Sequence, residues 1–238
     1  MRPPPRICRR RSGRYTAHLM DRTHRNRRRA LLALVGAGLA LPALRLALAQ
    51  DNAQGIRRAR GSVMVNGSRA TTGDPVRPGD RVTTGRGALA MFVVGQDAFL
   101  MRGSSNAEFE GSDLLVNVVR LVTGKLLGVY GAGGERHIET PTATVGIRGT
   151  GAYVEAQRAR TYFCLCYGTA DVATTDGQAT ESYSTTHHDS PRYIYGGDRL
   201  RRIVPASVSN HTDAELIMLE GLVGRSPPQG FMDAPQKY

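Results

Sequence analysis

From Gly55 onward apolar and polar positions alternate in short runs broken by glycine, the pattern of half-buried strands joined by tight turns. Ser62, Met64 and Asn66 alternate with Val63, Val65 and Gly67, and Asn66-Gly67 is a hairpin signal. Ala88–Val94 reads as one continuous apolar strand, turned by Gly95-Gln96-Asp97 into Ala98–Met101. A strand is expected over Ala107–Glu110, then a long apolar run over Leu114–Val122, turned at Thr123-Gly124 into Lys125–Tyr130. Gly131–Gly134 is a loop before His137–Thr140. Thr140–Thr150 reads as two short strands separated by a corner at Gly146, Ile147, Arg148 and Gly149. Thr150–Ala156, Thr161–Tyr167 and Thr169–Thr174 follow, with turns at Gly168 and Asp176-Gly177. Tyr193–Tyr195 and Leu200–Val204 complete the strands. Thr212 or Asp213 is placed to cap a helix over Ala214–Leu222, and the Pro-containing tail after Gly224 reads as disordered. The fold class is all-β: a coiled, solenoid-like stack of short strands with one short C-terminal helix.

The N-terminal stretch changes the picture of charge. Residues 1–49 hold twelve arginines and one acid, Asp21, which leaves 20 basic and 19 acidic residues of the chain's 32 and 20 for the remainder. The pI of 10.3 therefore describes the leader, and the body has no basic field for nucleic acid. Ala30–Leu44 is an uncharged apolar run of 15 residues, shorter than the roughly 20 that a membrane span needs. A basic region, this run and Ala47-Leu48-Ala49 make a secretory signal peptide. Arg28-Arg29 before the run resembles a twin-arginine signal, with Sec export the alternative, and Met20 can serve as the start. The expected product begins near Gln50, is periplasmic or secreted, and meets the membrane only during export. The expected organisation is a leader over 1–49, a β domain over 50–175, an extension over 176–204, and a helix with its tail over 205–238.

An ordered set of segments carries a family resemblance: Gly61–Gly67, Gly79-Asp80 through Ala88, Thr123-Gly124-Lys125-Leu126, Thr140-Pro141 through Gly149-Thr150, and a closing Gly168. Over about residues 55–175 the chain resembles the FecR domain family. The resemblance implies an all-β periplasmic domain. In full-length regulators of that family, the domain relays the state of an outer-membrane iron-siderophore receptor to a sigma factor. This chain has no Trp, and only a short arginine-rich segment precedes its apolar run. A freestanding exported module is therefore the expected form, with iron-responsive transmembrane signalling as an alternative. The implied role is non-catalytic binding or sensing, with an envelope protein or surface polymer as partner. The family-motif positions Gly79, Asp80, Thr140, Pro141, Gly146, Arg148, Gly149 and Thr150 are expected to be structural. Arg148 has two readings: a guanidinium that ties up turn carbonyls, or one that holds a partner's carboxylate. Thr150 is expected to bond the same turn.

The candidate chemistry lies downstream. Cys8 leaves with the leader, so Cys164 and Cys166 are the only cysteines of the body. In a regular strand residues two apart lie about 6.6 Å apart. A disulfide needs β-carbons about 3.8 Å apart, so pairing would require a bulge. Phe163, Leu165 and Tyr167 should share one face, leaving Cys164 and Cys166 accessible on the other. His187-His188 follows, with Ser190-Pro191 favouring a turn that would let both rings point one way. Cys164, Cys166, His187 and His188 match zinc, copper or iron by ligand type. The competing reading is a buried cysteine pair beside a solvated histidine loop. No nucleophile elbow, phosphate loop or paired-acid spacing is present, and Ser62, Ser104 and Ser105 read as ordinary turn or strand residues. A nucleophilic pair of Cys166 with His187 or His188 lacks a signature. The chain is therefore expected not to be an enzyme.

Overall fold

The computed structural model describes residues 54–234, all within a unit that spans Ala49–Tyr238. The leader, its cleavage point and Cys8 lie outside the described residues, as do residues 235–238. The strands are β1 (Gly55–Arg60), β2 (Val63–Val65), β3 (Ser68–Arg69), β4 (Arg81–Thr84), β5 (Leu89–Val94), β6 (Asp97–Met101) and β7 (Ser105–Ser112). They continue as β8 (Leu115–Val129), β9 (Arg136–Glu139), β10 (Ala143–Gln157), β11 (Arg160–Thr174), β12 (Thr180–Thr185), β13 (Arg192–Tyr195) and β14 (Ile203–Pro205). Two helices follow, α1 (Asp213–Leu222) and α2 (Gln229–Met232). The all-β expectation with a short C-terminal helix holds. The tail contains α2, whose Phe231 is buried.

Hairpins fall where the turn chemistry put them. Asn66 and Gly67 take φ of 52° and 81°, the left-handed pair that joins β2 to β3. β5 and β6 pair from Ala90 opposite Met101 to Val94 opposite Asp97. Asp80 accepts hydrogen bonds from the Arg77 amide and the Asn66 side chain, both at 2.7 Å, and the Gly79 amide donates to the Phe109 carbonyl at 2.6 Å.

Three expected turns are instead bends inside long strands. β8, β10 and β11 each run for 15 residues. Each changes partners midway. β8 pairs with β7 and β9 in its first half and with β6 and β10 in its second. β10 leaves β9 for β8, and β11 leaves β13 for β12. The changes occur near Gly124, Gly149 and Gly168, at φ of 100°, 55° and 103°. A Cβ at Gly168 would lie 2.4 Å from Thr150 Cγ2, so that bend needs glycine for space as well as for angle. Glycine marks a strand bend here rather than a chain reversal.

Alternation along β10 and β11 divides the core. Val154, Phe163 and Leu165 face one cluster with Phe92, Phe99 and Phe109, whose ring centroids lie 4.9–5.4 Å apart. Tyr153, Cys164 and Cys166 face the second cluster with Met91, Val93, Leu127, Leu216, Leu219 and Phe231. The second core is thus the floor beneath the C-terminal segment.

The arginine that locks the fold is not Arg148. Its side chain is 67% exposed and reaches Glu135 at 3.4 Å. Arg136 is the buried one: it pairs with Asp97 at 3.2 Å and donates to the Gly133 carbonyl at 3.3 Å. Asp97 also accepts the Gly131 amide at 2.8 Å, so one ion pair closes the Gly131–Gly134 loop over the β5–β6 turn. Burial pushes the Asp97 carboxyl above its usual range, and the Gly131 amide and Arg136 offset part of that rise. Thr150 is buried and its hydroxyl has no hydrogen-bond partner, contrary to the expected turn bond. Thr140 does act structurally, with its hydroxyl 2.7 Å from that of Thr161 and accepting the Ala143 amide at 2.9 Å. Pro141 lies just before β10, and Gly146 lies within it opposite Asp171.

Candidate metal centre

The centre begins with an irregularity in β11. Gly151 pairs with Tyr167 and the next residue, Ala152, pairs with Leu165, so Cys166 is one residue too many. Alternation already puts Cys166 on the side of Cys164, and the bulge swings Tyr167 there as well. Tyr167 therefore belongs to the second core and not, as alternation predicts, with Phe163 and Leu165. Both cysteines are fully buried and free. The expected accessibility fails because α1 and α2 cover that face.

The histidines sit in the turn after β12. Asp189 shapes it, accepting from the Thr185 hydroxyl at 2.8 Å and from the Thr186 and His187 amides at 3.3 Å. His188 adopts φ of 50°, a left-handed conformation that His takes more readily than most residues. Its amide donates to the Cys166 carbonyl at 3.0 Å, which fastens the turn to the bulge. Both rings point inward and both are buried.

A third histidine completes the group. Tyr162 holds the chain after β14, giving its hydroxyl to the Ser207 carbonyl at 3.1 Å and accepting the Ser209 amide at 3.2 Å. His211 then enters the site one residue before Thr212, the N-cap of α1, and stacks on Tyr153 at 4.5 Å and 18°. The capping box is complete: Thr212 accepts from the Glu215 amide and Glu215 accepts from the Thr212 amide. Thr212→Ala is expected to cost about 1 kcal/mol, read as a lower urea midpoint with an unchanged slope.

Potential ligand atoms of Cys164, Cys166, His188 and His211 all lie within 4.8 Å of one another. His188 Nδ1 is 3.0 Å from His211 Nε2 and 3.4 Å from Cys164 Sγ. Four-coordinate zinc, with bonds of about 2.0–2.3 Å, sets ligand atoms about 3.3–3.8 Å apart. His188, His211 and Cys164 therefore need shifts of only a few tenths of an ångström at these two contacts.

The outer hydrogen bonds decide which ring atoms face inward. His211 Nδ1 lies 2.8 Å from the Ser209 carbonyl, which can only accept, so Nδ1 carries the hydrogen. His188 Nε2 lies 3.1 Å from Asp213 Oδ1, an acceptor when ionised, so Nε2 carries the hydrogen there. That leaves two imidazole lone pairs facing each other at 3.0 Å. Such an arrangement favours a cation between them, either a shared proton or a metal ion. Hydrogen bonds to the far ring nitrogens are the usual way a protein orients metal-bound histidine.

The thiols are tuned apart. Burial alone would push Cys164 up, but its contacts with the Cys166 thiol, His188 and His211 outweigh it and hold Cys164 well below the usual thiol range. Burial and the bond it gives to Cys164 push Cys166 well above that range.

His187, expected as a ligand, stands one shell further out. Its Nε2 lies 3.0 Å from Asp213 Oδ2, and its ring packs against Phe231 with centroids 4.7 Å apart. Asp213 thus spans His187 and His188 with its two oxygens. The structure brings Cys164, Cys166 and His188 together as the sequence suggested and supplies His211 in place of His187. His211 is isolated in sequence, and its one signal is its place directly before a helix cap.

No family profile matches the chain, and no curated protein does. Two crystal structures of a "putative anti-sigma factor" from Parabacteroides distasonis are similar in fold. One has a TM-score of 0.46 at 9% identity, covering 59% of this chain and 65% of that chain. The other has a TM-score of 0.44 at 10% identity, covering 53% of this chain and 58% of that chain. The chain thus spans less than two thirds of either. At these values the likeness carries nothing about the site.

Proposed function

We propose that the protein is a non-catalytic metal-binding module whose Cys164, Cys166, His188 and His211 hold one transition-metal ion. The observation that carries this is the pair of inward-facing imidazole nitrogens 3.0 Å apart, set beside two buried thiols. Two thiolates and two neutral imidazoles balance the charge of a divalent ion. They also fill all four positions of a tetrahedron, the closed set typical of structural zinc. Zinc is therefore the ion of choice over copper or iron. With no ligand position left for water or substrate, the centre stabilises and senses rather than reacts.

The leader supports export, where an unprotected dithiol faces oxidation and metal ligation is one protection for it. The nearly balanced charge of the body supports an envelope protein or surface polymer as partner rather than nucleic acid. In this reading the resemblance to FecR domains describes the scaffold of a sensing module, and the metal is its input.

Zinc titration followed by elemental analysis of the desalted protein tests the centre. One equivalent per chain is expected, lost in Cys164→Ser. A wild-type protein that retains no zinc, copper or iron ends the reading. Two equivalents would mean that His187 and Asp213 bind an ion of their own rather than orient His188.

A further inference from the structure

Resting on the metal reading above, we infer that occupancy of the centre latches the C-terminal segment, residues 206–234, onto the sheet, and that loss of the ion releases this segment while the β fold stays intact. The ligands come from three separate places: β11, the turn after β12, and the residue before the α1 cap. Cys164, Cys166 and His188 are already joined without an ion, because the His188 amide bonds the Cys166 carbonyl. His211 has no such backbone tie to them, so the metal would add its largest constraint where the C-terminal segment meets the sheet.

The start of that segment is anchored by Tyr162 at Ser207 and Ser209 and by His187 and His188 at Asp213, but the helices beyond are weakly held otherwise. α1 has ten residues, short of the roughly 12–15 at which an isolated helix becomes even marginally stable in water. Of its apolar residues only Leu216 and Leu219 are fully buried, while Ile217 and Met218 stay exposed. α2 adds Phe231 alone. Beyond Asp213 the polar ties to the sheet are few. Arg102 reaches both Glu215 oxygens at 2.9 and 3.0 Å, Tyr167 bonds Glu220, and Arg225 reaches the Gln96 carbonyl at 2.5 Å. The main core, built on Phe92, Phe99 and Phe109, uses no residue of the segment and loses nothing when it leaves.

Release would uncover Met91, Val93, Leu127 and Tyr153, the floor now beneath α1. The metal thus controls whether an apolar face is hidden by the chain's own helix.

Hydrogen exchange of the zinc-loaded and chelator-stripped protein reads this directly. Stripping is expected to speed exchange at Leu216–Leu222 by more than about tenfold, with β8 and β10 unchanged. His211→Ala should show fast exchange at α1 with or without zinc. Equal protection of α1 in both states, in protein shown to bind one zinc, overturns the latch and leaves the metal centre standing. Loss of protection throughout β8 and β10 on stripping also overturns it, since the ion would then support the whole fold. Zinc-dependent protection that persists in His211→Ala shows that the tie does not run through His211. Failure to bind zinc at all removes the metal centre itself, and the latch with it.

Discussion

His211→Ala is expected to lower zinc affinity by far more than His187→Ala, although His187 sits beside His188 in the chain and His211 lies 23 residues away. His187 acts through Asp213, and losing a partner in the outer shell of a metal site typically costs about 10–100-fold in affinity. Losing His211 removes a ligand atom and should exceed that range. Competition against a chromophoric zinc chelator measures both variants. The reverse order would return His187 to the first shell and refute the ligand set. Affinity should also fall with decreasing pH, because zinc takes thiolate and neutral imidazole and so competes with protons for its ligands. Asp213→Asn tests the orientation argument separately. It leaves every ligand atom in place but weakens the acceptor of the His188 hydrogen, so it should resemble His187→Ala rather than His211→Ala.

The second large effect belongs to the fold. Arg136→Ala leaves Asp97 buried beneath the Gly131–Gly134 loop with its charge uncompensated. Breaking a buried pair from one side costs about 3–5 kcal/mol. In a domain of this size that corresponds to a melting temperature lower by about 6–20 °C. Without Arg136 the Asp97 carboxyl is pushed further up, so part of the loss should be recovered in acid, where Asp97 is neutral. The sign follows from the raised carboxyl: protonation stabilises the variant as pH falls, opposite to an ordinary paired aspartate. Arg136→Met combined with Asp97→Leu should be milder than Arg136→Ala alone, since no buried charge remains. It still leaves the Gly131 amide without its acceptor. Thermal unfolding of the three variants at neutral and acid pH checks the argument. A small loss in Arg136→Ala would show that water reaches Asp97.

Much of the fold was legible because it follows local rules. Period-two alternation, the Asn66-Gly67 turn, the β5–β6 hairpin and the Thr212 cap each depend on a few adjacent residues. What sequence reasoning missed depends on partners far along the chain. Gly124, Gly149 and Gly168 look like turns, yet each sits in a strand that continues. Only the second ladder, made by distant residues, shows that the chain bends without reversing. Arg148 stands out by its flanking glycines, but burial decides which arginine locks a fold, and Arg136 is the one that ends up buried. The cysteines are evident by type and spacing, and His188 by its proximity to them. His211 reaches the centre only because β13 and β14 extend the sheet and return the chain across its outer face. Nothing local records that path.

The surplus residue in β11 makes the seam between the sheet and the C-terminal segment depend on chain length. Cys164 and Cys166 lie two apart, so they share a face with or without the bulge. The bulge adds Tyr167 to that same face, where it meets Glu220 and Phe231. A strand one residue shorter there would keep both sulfurs on one side and take the tyrosine away from the helices. Among relatives of this fold, insertions and deletions at this point should track how the C-terminal helices are held, whereas the centre should track the cysteines and histidines themselves.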